Sequence, residues 1–195
     1  YDDLYADILL WLKKKWIDYV VPQLYWEFGQ RVVGYEVLVD WWARHSYGRQ
    51  LYIGMGIYRA LEPRSYAWKN KKELPNQIKK LRGYPQIQGS VFFSSSTFNS
   101  NPNGWSDSLR NDYYKYPAIA PPMAWIDSMQ PEKPLLILDS SKGNSYINSI
   151  DIYLKMYSSN PLVNRYVIYN FIDTSDMNKE EPKNIKEIVV AGNNL

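Results

Sequence analysis

Tyr25, Trp26 and Glu27 put a carboxylate beside two large aromatic side chains, the grouping in this chain best suited to chemistry. Such a grouping suits a sugar: an aromatic face covers the C–H side of the ring, and an acid contacts hydroxyls or moves a proton. Gln23, two residues earlier, adds a hydroxyl ligand, although an amide packed inside a barrel is as common at such positions. The plainer alternative is a strand with packed aromatics and a solvated Glu. Glycoside hydrolysis uses two carboxyl groups, about 5 Å apart for retention and further apart for inversion. Glu27 is the only acid expected at a strand end, so it is the candidate catalytic residue.

These side chains need an element that stops where they begin. Ile17, Tyr19, Val20, Val21 and Leu24 form an apolar run too short for a helix and rich in β-branched and aromatic types, which predicts a strand over 17–25. Pro22 argues against a fully hydrogen-bonded central position. Further strands are expected over 51–57 and 86–94, and the apolar runs beginning at Ile17, Leu51 and Ile87 recur 34 and 36 residues apart, each followed by a loop and a helix. That recurrence is a βα repeat with parallel strands and right-handed crossovers. Ligands in such folds sit beyond the carboxyl ends of the strands. Tyr58 and Arg59 at the second end, and Ser94 and Ser95 at the third, are therefore further substrate-binding candidates.

Helices are predicted over 3–16, where Asp2 and Asp3 precede Leu4, Ile8, Trp11 and Leu12 and Lys13 to Lys15 close the element, a charge order that complements the helix dipole. Others are expected over 35–45, 72–82 and 104–114. Asp40, Trp41 and Trp42 fall inside the second and read as structural, with His45 at its end in a surface role. Residues 116–134 carry five prolines and read as a connector and linker. Beyond them, strands are expected over 135–138, 150–156, 165–172 and 185–191, a small all-β module. Three βα units do not close a barrel, for which eight strands and about 250 residues are typical. The sheet is open or the chain is a piece of something larger, and we favour the piece.

Composition narrows the function. The 195 residues, 45% hydrophobic and 22% charged, suffice for a buried core. A net charge of +3 is too weak and dispersed for a nucleic-acid partner. The absence of cysteine excludes disulfides and thiolate sites, one histidine excludes a His-rich metal site, and no cofactor is expected. No apolar run approaches the ~18 residues of a membrane span. Nothing at Tyr1 resembles a signal peptide, and a leader can precede a chain that starts without Met. Gly54 and Gly56 leave a bare G-x-G with Arg59 where a dinucleotide fingerprint wants Gly, so a nucleotide site is rejected. The 18 Tyr and 8 Trp suit a stacking ligand, although a Tyr-rich core and surface explains them as well.

The runs YADILLWLKKKWIDYVVPQLYWEFG, YEVLVDWWARH, RQLYIGMGIYRA, GSVFFSSSTF and APPMAW, in that order, resemble the carboxyl-terminal half of bacterial glycosyl-hydrolase-like family 10 proteins. PQLYW followed by DWWA is the strongest part, and the resemblance covers roughly residues 1–126. It implies an α/β fold: a partial (β/α)8 TIM barrel contributing its last three βα units over 1–126. A linker over 127–134 and a truncated β-sandwich of fibronectin type III kind over 135–195 would follow. It implies hydrolysis of a bacterial cell-wall or other polysaccharide, in a secreted or cell-envelope protein such as an outer-membrane lipoprotein. The first five barrel strands, with an acid-rich strand end, are outside this sequence. A non-catalytic glycan-binding protein is the alternative, and a fragment that self-associates through an open sheet edge is a third.

Overall fold

The computed structural model describes residues 4–131, 133–138, 145–146, 149–150, 154–158, 163–173, 175 and 177–191. Two compact units divide the chain, Tyr1–Lys115 and Tyr116–Leu195.

The first unit is built on a three-stranded parallel sheet in the order β1 (Tyr19–Val20), β2 (Gln50–Met55), β3 (Ile87–Phe92). Its helices are α1 (Ile8–Lys13), α2 (Tyr35–Arg44), α3 (Glu73–Arg82) and the short α4 (Trp105–Ser108). The βα repeat expected from sequence is therefore present, with its strands side by side and parallel, and with a register shift between Leu51 and Tyr52 where β2 meets β3. Leu51, Ile53 and Met55 of β2 are buried with Tyr35 and Val39 of α2 and Leu74, Ile78 and Leu81 of α3, which form the apolar stripes of those helices.

Several boundaries differ from the sequence expectation for identifiable reasons. The first helix starts at Ile8, where the Asp7 side chain accepts from the Leu10 N–H and caps it, and Leu4 and Tyr5 lie exposed before it. The strand expected over 17–25 is regular only at Tyr19–Val20, because Pro22 interrupts the ladder. The Pro22 carbonyl accepts from Gly54 N at 2.9 Å, but its nitrogen has no proton to donate, and pairing resumes only when Leu24 N reaches Gly54 O at 2.9 Å. β2 ends at Met55, and Ile57–Leu61 turns as a 3₁₀ helix instead of extending the strand. The segment expected as one helix over 104–114 is α4 followed by a π-helical turn, Leu109–Tyr113.

One face of the sheet carries the core, and the other is partly open. Tyr19 is 55% exposed, Val91 47% and Phe93 54%. Parallel sheets are ordinarily covered on both faces.

In the second unit, among the described residues, all pairing is antiparallel: β4 (Leu135–Leu138) with β7 (Leu154–Tyr157), β5 (Ser145–Tyr146) with β6 (Ser149–Ile150), and β8 (Arg165–Tyr169) with β9 (Ile185–Val190). The β-rich texture expected after 134 is thus observed, although the strands expected over 165–172 and 185–191 end earlier, at Tyr169 and Val190. Residues 151–153 lie outside the described residues. Ile185 and Val189 are its buried apolar side chains among those described. No helix of the described residues is long and apolar enough to cross a membrane.

Candidate functional site

Parallel pairing sends the three strands' carboxyl ends the same way, and the residues that follow them meet. Tyr25, just past β1, sits edge-on to Tyr58, just past β2, with centroids 5.8 Å apart. Tyr25 also stacks on Phe93, just past β3, at 5.9 Å and 24° between planes. Tyr58 and Phe93 close the triangle edge-to-face at 5.8 Å. Ring pairs at these separations and angles are attractive.

Gly56 makes the triangle attainable. Phe93 N donates to Met55 O at 2.9 Å, which sets Phe93 level with Gly56, and Tyr25 reaches the same level one residue past Leu24. A Cβ at Gly56 would lie 2.8 Å from Tyr25 Cγ and 2.9 Å from its Cβ. A side chain there would hold the two rings apart. Gly54, one step below, carries a similar constraint: its Cβ would meet the Pro22 carbonyl at 3.0 Å. The G-x-G that matches no nucleotide fingerprint is thus explained by close approach of neighbouring chain.

Glu27 is half-buried, and its carboxylate has no hydrogen-bond or ion-pair partner among the described residues. Trp26 is 38% exposed. The backbone around them is tied down on three sides: Trp26 O accepts from Gln77 Nε2 at 3.1 Å, Glu27 O from Tyr35 N at 3.3 Å, and Phe28 N donates to Glu73 Oε1 at 3.0 Å. Gly29 N reaches the Glu36 carboxylate at 3.1 Å. Gln23 is exposed and bridges Gly54.

Arg59 is half-buried, with Nε 4.0 Å from Glu62 Oε2, and that carboxylate also accepts from Ser65 Oγ at 2.6 Å. Ser94 and Ser95 begin a 3₁₀ turn, Ser95–Ser100, in which Ser94 Oγ and Ser96 Oγ lie 2.8 Å apart. The Phe93–Ser94 peptide is cis. The structure therefore gathers Tyr25 and Tyr58 directly, with Gln23, Trp26, Glu27, Arg59, Ser94 and Ser95 adjoining in sequence on the same three strand ends. Burial, and next to it the neighbouring Tyr58, raises the Tyr25 pKa above the ordinary phenol value, so Tyr25 is a neutral donor at physiological pH.

Sequence reasoning missed Phe93, Gly56, Glu73 and Gln77. The signal for Phe93 was its place as the last aromatic before the Ser-rich loop. Glu73 and Gln77 are one turn apart and flank the Leu74, Ile78 and Leu81 stripe, so their burial was implicit in helical spacing. Asp40, Trp41 and Trp42 lie on α2 away from these strand ends: Asp40 pairs with Arg44, Trp42 packs on the core, and Trp41 stacks on His45 at 4.2 Å.

Residues 1–72 match the family model described as Glycosyl hydrolase-like 10, the family whose resemblance the sequence motifs carried. Glycosyl hydrolase YngK of Bacillus subtilis is 39% identical over 148 residues, covering 74% of this chain and 29% of that protein. Glycosyl hydrolase DigH of Escherichia coli K12 is 33% identical over 106 residues, 51% of this chain and 24% of that protein. The aligned part of the chain thus spans less than a third of the length of either curated relative.

Proposed function

From a chain whose residues 1–72 carry the sequence of the glycosyl hydrolase-like 10 family, we propose that the carboxyl ends of β1, β2 and β3 form one wall of a glycan-binding cleft. The cleft belongs to an enzyme that hydrolyses O-glycosidic bonds. Glu27 acts as the acid or base, Tyr25, Trp26 and Tyr58 face the sugar, and Gln23, Arg59, Ser94 and Ser95 contact hydroxyls. The substrate is a bacterial cell-wall strand or another polysaccharide, reached by a secreted or envelope-bound protein. The observation that carries this reading is the triangle of Tyr25, Tyr58 and Phe93, with Glu27 two residues on from Tyr25, half-buried and without a side-chain partner among the described residues.

A second carboxyl is needed across the bond. Glu62 is occupied with Arg59 and Ser65, so in this reading the partner comes from residues outside this sequence. The same residues continue the sheet into a (β/α)8 barrel, covering the exposed side chains of Tyr19 and Val91 and pairing the free edges of β1 and β3. The antiparallel strands after residue 134 form a β-sandwich module of fibronectin type III kind.

The test is turnover of purified cell-wall glycan strands by the protein expressed from its whole reading frame, compared with Glu27→Gln. A positioned acid or base contributes roughly 10²- to 10⁴-fold, so kcat should fall by that order. Unchanged turnover would remove Glu27 from the mechanism. The engagement of Glu62 elsewhere favours one rival, a protein that holds glycan without cleaving it. Binding with no hydrolysis under any condition supports that rival. A third outcome, dimerisation through the β1 edge, would be seen by sedimentation as a mass that Tyr19→Lys halves.

A further inference from the structure

We infer that Glu73 and Gln77, one turn apart on α3, are positioning residues that fix the direction in which Glu27 and Trp26 project; the functional part of this rests on the cleft reading above. The β1 ladder ends when Leu24 N meets Gly54 O. The next peptides have no strand partner, yet they do not wander into a free loop. Glu73 Oε1 takes the Phe28 N–H at 3.0 Å and the Gln77 Nε2–H at 2.9 Å, and the same Gln77 amide reaches Trp26 O at 3.1 Å. The peptide groups on both sides of Glu27 are thus held by one two-residue clamp, and Tyr35 N holds the carbonyl of Glu27 itself.

Both clamp residues are buried, Gln77 completely. Burying a carboxylate and an amide is costly unless their hydrogen bonds are made, and an apolar pair would suffice if α3 needed only packing. Here the polar groups are directed at the backbone of the one segment that carries the candidate acid and its neighbouring indole. A charge-assisted bond from Phe28 N to a carboxylate in the first turn of a helix is stronger than a neutral one, and the helix dipole favours the charge there. Since side-chain direction follows from backbone angles, holding these peptides sets where the Glu27 carboxylate stands. Misplacement of about 1 Å at a reacting group costs on the order of 10²-fold in rate.

The clamp makes a discriminating pair of variants. Glu73→Leu keeps the volume and removes the acceptor. Glu73→Gln keeps an acceptor for Phe28 N–H and offers an amide to Gln77 Oε1, which is buried without a partner among the described residues. Hydrogen exchange at the Phe28 amide should be slow in the parent and in Glu73→Gln, and at least about tenfold faster in Glu73→Leu. In the protein from the whole reading frame, kcat on cell-wall glycan strands should drop by about tenfold or more in Glu73→Leu with KM within roughly threefold, and return in Glu73→Gln. Should Glu73→Leu fail to fold, Gln77→Leu, which leaves the Glu73 to Phe28 bond and frees Trp26 O, should give the same loss of kcat with KM little changed while Phe28 exchange stays slow. Equal Phe28 exchange in the parent and Glu73→Leu overturns the proposal, as does full kcat in either variant with its clamp bond removed. If the parent cleaves no glycan, the enzymatic reading fails separately, and the clamp is judged on the Phe28 amide alone.

Discussion

Tyr25 and Phe93, which follow the two outer strands of a three-stranded sheet, stack on each other across the middle strand at 5.9 Å, with Gly56 beneath them. Two ring systems from β1 and β3 are joined without a side chain from β2 between them. That contact ties together the ends of three segments far apart in sequence, where the parallel topology places any ligand. A double-mutant cycle tests it. Tyr25→Phe leaves the stack, whereas Tyr25→Ala and Phe93→Ala each remove it; their destabilisations in urea should be non-additive by about 0.5–1.5 kcal/mol. Strict additivity would mean that the rings do not touch in solution.

Gly56→Ala is expected to act through space and not through backbone strain, because Gly56 has a φ of −87° that any residue adopts. The added methyl would sit 2.8 Å from Tyr25 Cγ and 2.9 Å from Tyr25 Cβ, atoms too near the main chain to swing away. Overpacking of this kind costs about 1–3 kcal/mol. Chemical denaturation should register that loss, and an unchanged midpoint would show that β1 moves aside freely.

The strands and their order were legible because short β-branched runs recurred at a near-constant interval and each was followed by an amphipathic helix. What the sequence concealed was local. Pro22 was recognised as a poor ladder residue, but the consequence, a β1 reduced to Tyr19–Val20, depends on which way its nitrogen faces. Asp2 and Asp3 looked like the helix start because acidic residues suit a first turn, whereas Asp7 is the one whose side chain reaches a free N–H. At the candidate site, Tyr25, Trp26 and Glu27 stood out by residue type. Phe93 and Gly56 matter by register between strands, and Glu73 and Gln77 by a contact between a helix and a distant loop, neither of which a single sequence displays.

Trp26→Ala separates binding from folding. The Trp26 backbone is held through its carbonyl, which the substitution keeps, and its side chain is partly exposed. Stability should change by less than about 1 kcal/mol. Removing one aromatic platform should weaken affinity for cell-wall glycan strands by about threefold to tenfold, measured by calorimetry on the protein from the whole reading frame. Unaltered affinity would place the sugar elsewhere.

Tyr35 adds to the sensitivity of the first unit to alkaline pH. Its ring is buried in the core against Phe28 at 5.4 Å, and its hydroxyl has no hydrogen-bond partner among the described residues. Burial, then the nearby Tyr114 and Glu73, raise its pKa far above the ordinary phenol range. In the unfolded chain the same group ionises near pH 10. Below that pH both states keep the proton, and this residue adds no slope to stability. Above it the unfolded chain releases a proton that the folded one retains, so stability falls as pH rises, by up to about 1.4 kcal/mol per pH unit for this one group. Tyr35→Phe removes both the proton and the unpartnered hydroxyl. It should leave stability at pH 7 unchanged or raise it by about 1 kcal/mol, and flatten the decline between about pH 10 and 11. Urea titrations of the parent and Tyr35→Phe at pH 7, 10 and 11 measure both effects, and parallel declines in the two proteins would exclude Tyr35 as the residue responsible.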